Sequence, residues 1–532
     1  MGTLWFGGKI YTLIEERDTV EAVYTEKGYI KDTGDLEKLR SLYPGAKEMN
    51  LGGHTMLPGF TDSHMHVIGH GEKLMHLDFS EMASSEEVLE SLRERAKTIQ
   101  HGEWIIGEGF NENQFPDRKI LHRRELDDIS NVHPILIKRI CHHAVIVNTK
   151  AMELAGISSE TPDPEGGLIV RDEHGDPTGY MHDGAQELVF QAQPQVSKEY
   201  LHKALLKSIE DCHKKGLVGG HTEDLSYYGS LENVLGAFDS VINGEKKTFR
   251  AHLLVHHHIT DEFQQKERYL GPFIEFGAMK LFADGALGGR TALLSVPYED
   301  DPGTNGVSIH SEEGLNSLIQ KARGYGMEAA IHTIGDLAFK KTLDAIEANP
   351  PVQKHQHDRL IHAQILSGEL IERVKKLPVI LDIQPRFSSS DFPWVMDRIG
   401  RDKIKYCYAW KTLINEGVNC AGGSDAPIEP IDPLLGIYSA VKRESIYDGQ
   451  VYLPEERLSV YEAVELYTKG SAYAVHHEHE YGCIAKGYTA DFTVLSRDIF
   501  EEDALLETEV VMTVVDDRVV YEKKSMNDCK II

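Results

Sequence analysis

The sequence predicts an α/β fold, a (β/α)8 TIM barrel joined to a small β-rich domain assembled from both chain ends. Three observations predict it. Between about residues 216 and 425, short apolar runs of strand type alternate with helical windows; with one run near residue 60 they number eight, the count that closes such a barrel. Residues 1–56 and 482–532 share another texture, with apolar and polar residues alternating between glycines, as in antiparallel strands. The length of 532 residues suits one large domain and a smaller one.

Composition narrows the classes. A hydrophobic fraction of 41% with 27% charged residues is that of a soluble globular protein. Lys+Arg 56 against Asp+Glu 85 gives a net charge of −29, which repels nucleic acid and anionic membranes. No run approaches the roughly 18 apolar residues of a membrane span, and no signal peptide is evident. Cys141, Cys212, Cys407, Cys420, Cys483 and Cys529 form no C-x-x-C pair, which fits reduced thiols and a cytoplasmic location.

Taken in order, residues 8–13 and 19–24 and the turn at 26–30 read as a small antiparallel sheet; 490–495 and 510–521 match it, the latter a hairpin about Asp516-Asp517. These ends, 1–56 plus 482–532, form one composite domain, and 57–481 the barrel. Within the barrel, 70–215 lacks the strand–helix rhythm. It holds a helical window at 85–95, apolar at Val88, Leu89 and Leu92, with Ser84 or Ser85 as N-cap, and a loop at 161–167. An insertion of that length after the first strand is a candidate lid. The remaining strands are expected at 216–221, 250–255, 278–282, 327–332, 359–362, 378–383 and 419–425.

The first strand carries Pro58-Gly59-Phe60-Thr61-Asp62-Ser63-His64-Met65-His66. Two imidazoles one residue apart project to one side of a strand and can share an ion. The spacing alone is weak: among 27 histidines it recurs at His256/His258, His355/His357 and His477/His479. Position adds weight. His64, His66, Lys280, His332, His362 and Asp425 all fall at or near the C-terminal ends of expected strands, which converge on the one mouth where a barrel carries its chemistry. Each has a plainer reading. Lys280 could be an ammonium paired with a carboxylate, His332 and His362 could be hydrogen-bonded core histidines, and Asp425 a turn residue before Pro427.

The P-G-F-x-D-x-H-x-H run resembles the first-strand motif of the amidohydrolase superfamily of metal-dependent hydrolases. So do His332-Thr333-Ile334-Gly335-Asp336, Arg359-Leu360-Ile361-His362-Ala363-Gln364 and Gly422-Gly423-Ser424-Asp425. Residues 148–157, Gly166-Gly167 and Pro177-Thr178-Gly179 resemble the amidohydrolase 3, or YtcJ-like, branch, and Gly487-Tyr488-Thr489-Ala490-Asp491 its closing segment with Tyr488 in place of lysine. The resemblance implies a β-sandwich built from both ends. It implies two divalent cations, one on His64, His66 and Asp425, the other on His332 and His362, bridged by Lys280 carboxylated by carbon dioxide. Zinc is the default, and manganese, iron, cobalt or nickel would suit the donors. The expected reaction is hydrolysis of a small-molecule amide, N-acyl or N-formyl, by metal-activated hydroxide, with Asp425 as general base and then acid. A deaminase with one ion and unmodified Lys280, an ester or lactone hydrolase, and a catalytically silent binding relative are the alternatives. For the substrate, the resemblance suggests His143, Asp284, Arg290 and Gln384. Arg290 could clamp a carboxylate or serve a loop-to-helix junction. Phe387 stands where histidine is common, and His221-Thr222-Glu223-Asp224 is unusual for its place. The oligomeric state is open, with a homodimer allowed.

Overall fold

The computed structural model describes residues 2–80, 82–139, 144–164, 166–193, 196–501 and 503–523. The chain divides into two compact units, Met1–His70 with Leu201–Ile532, and Gly71–Tyr200.

The first unit contains eight parallel strands, β1 (Phe60–Met65), β2 (Leu217–Thr222), β3 (Arg250–His256), β4 (Ile274–Phe282), β5 (Ala329–Thr333), β6 (Asp358–His362), β7 (Val379–Ile383) and β8 (Cys420–Gly422), each paired with the next. They lie where the apolar runs placed them. Helices return the chain between them: Glu312–Gly324 follows β4, Asp336–Ala348 follows β5 and Gly368–Val374 follows β6. The first of these shows the local logic. Ser311 caps it by accepting the Gly314 N–H, and Leu315, Ile319 and Ala322, at helical spacing, form its buried stripe. Inside, Leu254, Ala278, Ala330 and Ile361 from four successive strands make one packed cluster.

The sheet nearly closes on itself just beyond β8. The Asp425 N–H donates to the His64 carbonyl and the His66 N–H to the Ala426 carbonyl, both at 2.7 Å. Gly423 permits the approach, since a Cβ there would come within 2.5 Å of His64 N. The buried Asp62 carboxylate fastens the seam, accepting from His64 N–H at 2.9 Å and Ser424 N–H at 3.0 Å.

Both chain ends contribute to a separate eight-stranded sheet. Thr55–Pro58, leading into β1, pairs with Phe492–Leu495 from the far end. The expected hairpin turns at Asp516 and Asp517, whose φ values of 54° and 62° supply the left-handed pair that a tight two-residue turn needs. Thr493 Oγ1 donates to Gly216 O at 2.6 Å and Arg250 pairs with Asp491 at 2.7 Å, tying this sheet to the start of β2 and β3.

The second unit corrects the expected insertion of 70–215 in two ways. It ends at Tyr200, because Leu201, Leu205 and Ile209 of helix Lys198–Lys214 are buried in the first unit. It also contains a six-stranded sheet, ordered Gly167–Arg171, Pro177–Asp183, Ala144–Val147, Ile135–Arg139, Ile105–Phe110 and Leu77–Asp78. These strands are short and mix parallel with antiparallel pairing, so no single rhythm marks them in the sequence. Helix Ser85–Ala96, capped by Ser84, packs Val88 and Leu92 against Phe79, Ile105 and Phe110. Among the described residues no helix is long and apolar enough to cross a membrane.

Candidate metal centre

The end of β1 presents both of its histidines to one point. His64 Nε2 and His66 Nε2 each lie 3.6 Å from Asp425 Oδ1. That is too long for a hydrogen bond. It is close to the roughly 3.4 Å expected between two ligands of a tetrahedral ion with bonds of about 2.1 Å. Asp425 reaches this place from the turn after β8 with φ 57°, and His362, at the end of β6, has φ 80°. Left-handed backbone at two non-glycine residues is strain held where side chains must be aimed.

His332 on β5 and His362 on β6 are neighbours, with ring centroids 4.5 Å apart, and the His362 ring is 5.7 Å from that of His64. Lys280 on β4 is buried between the groups, its Nζ 3.4 Å from His64 Nε2. The structure therefore brings together all six residues that the strand-end pattern singled out.

Neighbouring acceptors set the imidazole tautomers. His66 Nδ1 donates to the Glu223 carbonyl at 2.8 Å, and His362 Nδ1 donates to Gln384 Oε1 at 2.8 Å. Each bond fixes a proton on Nδ1, which makes Nε2 the lone-pair nitrogen of the neutral ring, and for His66 that is the nitrogen facing Asp425. His64 Nδ1 is buried without a partner. Burial pushes the His64 and His332 pKa values well down, and that of His362 down to about 4, so these rings are neutral donors at physiological pH. His66 differs: burial opposes its protonation, but the carboxylates of Asp425, Asp224 and Glu223 around it raise it to about 9. For Asp425, burial favours the neutral acid, yet His66 and the positive charges around it hold the carboxyl below its ordinary range.

The residues suggested for substrate binding are placed differently. Asp284 is fully buried and accepts N–H bonds from Leu293, Ile334 and Gly335 at 2.8, 3.0 and 2.8 Å, so it braces the loops around His332 and has no open face for substrate. Its pKa is pushed up to about 7 by burial. Arg290 is paired with Asp300 at 2.9 Å, which Arg398 also engages, and this commits it to a loop junction. Gln384 orients His362. His143 lies outside the described residues.

Three further residues stand in the quoted motifs but were given no role there. Glu223, just past β2, is fully buried, with Oε2 3.0 Å from Lys280 Nζ and Oε1 accepting from the Tyr227 hydroxyl at 2.7 Å. Asp62 clasps the barrel seam. Arg359, at the base of β6, bonds Asp382 at 2.8 Å and the Ser63 carbonyl at 2.6 Å, supporting β1 from below. For Glu223 the signal was present, a carboxylate at the C-terminal end of an apolar strand.

The amidohydrolase family model matches residues 47–521. The chain belongs to the amidohydrolase family. It falls in the YtcJ-like branch: it is 54% identical over 529 residues to the putative amidohydrolase YtcJ of Bacillus subtilis, covering 98% of this chain and 100% of that one. It is also 26% identical over 541 residues to the N-substituted formamide deformylase of Arthrobacter pascens, with 97% of each chain covered. Among solved structures, an uncharacterized metal-dependent hydrolase from Pyrococcus horikoshii matches with a TM-score of 0.79 and 29% identity, over 94% of this chain and 98% of that one. In this amidohydrolase the donors fit a divalent cation. His64, His66 and Asp425 gather their ligand atoms within 4.8 Å, and both Nε2 atoms stand 3.6 Å from Asp425 Oδ1, beyond hydrogen-bond reach.

Proposed function

We propose that this hydrolase cleaves the C–N bond of a small-molecule amide, N-acyl or N-formyl. One observation carries the reading: His64, His66 and Asp425 meet at ligand spacing in a barrel mouth that also holds His332, His362 and Lys280. The kinship with an N-substituted formamide deformylase supports the choice of bond.

His64, His66, His332, His362, Asp425 and a carboxylated Lys280 would hold two divalent cations, zinc by default and otherwise manganese, iron, cobalt or nickel. Bound there, the metal would supply Lewis-acid polarisation of the carbonyl and a more acidic water. The chain's own residues do the rest. Asp425, kept ionised in a buried site, accepts the proton of the attacking water and delivers it to the leaving nitrogen. Gln384 and the Glu223 carbonyl hold His362 and His66 in the tautomers that face inward. The free thiols of Cys212, Cys407, Cys420 and Cys483 support a reducing, cytoplasmic setting.

A second reading has its own observation. Glu223 against Lys280 is the environment of an ammonium, which would leave the lysine unmodified and suit a one-ion site such as a deaminase uses. Metal counting combined with electron density at Lys280 separates the two: two ions and a carbamate, or one ion and a bare amine. The hydrolase reading itself is tested by turnover on a panel of formamides and N-acyl amines before and after chelation. Activity that survives complete metal removal overturns it.

A further inference from the structure

The H-x-H spacing of β1 recurs at His256 and His258, and the metal centre leaves that pair unused. The structure places His256 at the end of β3 and His257 and His258 in the turn beyond it. Their ligand nitrogens lie within 4.8 Å of one another. The rings crowd together, with centroids 4.5 Å apart for His256 and His257, 4.6 Å for His256 and His258, and 4.0 Å for His257 and His258. A fourth imidazole arrives from another segment. His310, just before the helix Glu312–Gly324, lies 5.5 Å from the His257 ring at an interplanar angle of 85°.

Hydrogen bonding accounts for one ring nitrogen of this cluster, His256 Nδ1, which accepts the His258 N–H at 3.2 Å. His257 Nδ1 and His310 Nε2 are both buried and have no partner. A buried ring nitrogen without a partner carries an unrecovered desolvation cost, and the nitrogens of His256, His257 and His258 converge with His310 beside them. An anion is a poor occupant, because histidines are largely neutral above about pH 7 and offer lone pairs. Nitrogen donors of this kind suit a borderline divalent cation.

We propose that His256, His257, His258 and His310 form an auxiliary site for a borderline divalent cation of zinc or nickel type, separate from the centre on His64, His66 and Asp425. The location gives it a mechanical role. His256 stands opposite Lys280 in the β3–β4 register, and the His257 N–H donates to the Lys280 carbonyl at 3.1 Å. On the other side, Ile309, next to His310, donates its N–H to the Ala283 carbonyl at 3.1 Å. An ion held by these four rings braces the strand that carries Lys280 from two directions. The proposal does not depend on which bond the enzyme cleaves.

Crystals of the full chain equilibrated with zinc, measured at the zinc absorption edge, test it. The expected result is anomalous density among the four imidazoles in the wild type and in Asp425→Asn. That density should be absent in the His258→Ala/His310→Ala double variant, which keeps its density at His64 and His66. Density confined to the His64–His362 centre at saturating zinc overturns the proposal. Equilibrium dialysis gives an independent readout. The wild type should hold one more zinc equivalent per chain than the double variant, and equal contents would refute the site.

Discussion

The two ends of the barrel use the same side chains differently. At the C-terminal mouth, His64 and His66 stand off from Asp425 at 3.6 Å. At the opposite end, His476 Nε2 meets Glu328 Oε1 at 2.8 Å, and His477 Nε2 meets Glu275 Oε2 at 2.9 Å. Titration follows the same division except at His66, which the surrounding carboxylates raise to about 9. Burial drives His64, His332 and His362 down, whereas bonds to Glu328 and Glu275 raise His476 and His477. Glu328, His357 and His476 do cluster at ligand-like distances. The direct bond from His476 to Glu328 nevertheless puts a proton where an ion would have to sit. Spacing decides the role: an imidazole on a carboxylate shares a proton, and one held about an ångström further away is placed for a cation.

The largest effect expected from this contrast lies at the mouth. Asp425→Asn should lower kcat on the amide substrate by about 10²–10⁴-fold, the usual worth of a positioned proton acceptor. At saturating metal the occupancy should change little, and a normal kcat in this variant would remove Asp425 from the proton path. Next in size, Gln384→Ala should weaken metal affinity by roughly 10–100-fold, measured by competition with a chromogenic chelator, because it frees the tautomer of His362. At the other end the effects should be small and purely structural. Glu328→Gln should cost up to about 1 kcal/mol in chemical denaturation, reduced by the partial exposure of His476. Its kcat and metal content should match the wild type; loss of a metal equivalent would erase the distinction between the two ends.

The mouth was legible in the sequence because its ligands sit within apolar strand runs and each strand end faces one place. His64, Lys280, His332, His362 and Asp425 needed only the strand positions and the geometry of a barrel. Glu223 was not legible as a partner of Lys280, since their contact joins the end of β2 to β4 past the intervening β3 and no local pattern encodes it. Asp284 and Arg290 show the opposite case: a substrate contact was expected for Asp284, whereas for Arg290 a loop-to-helix role stood beside one. Their loop looks like a binding segment locally, but Leu293, Ile334, Gly335 and Asp300 take up their polar groups through folding. The six-stranded sheet of Gly71–Tyr200 escaped because two-residue to seven-residue strands of mixed direction leave no sustained alternation.

The smallest expected effect is a pH dependence that belongs to the proton-sharing end. The carboxyl of Glu275 is held below its ordinary value of 4.5: burial works against ionisation, but the nearby His252 imidazole and the bond to His477 outweigh it. Its contribution to stability is therefore complete above pH 4.5 and is lost as the pH falls toward the folded-state value. His477 is raised above 6.5 by its bond to Glu275, so its contribution is complete below pH 6.5 and is lost as the pH rises through the raised value. The pair thus stabilises most between these limits. Thermal unfolding of the wild type and His477→Gln across that range and into alkaline solution should show a gap in Tm that is widest in the window and narrows on both sides. A gap that stays constant into alkaline solution would mean that His477 acts there by packing rather than by carrying a proton.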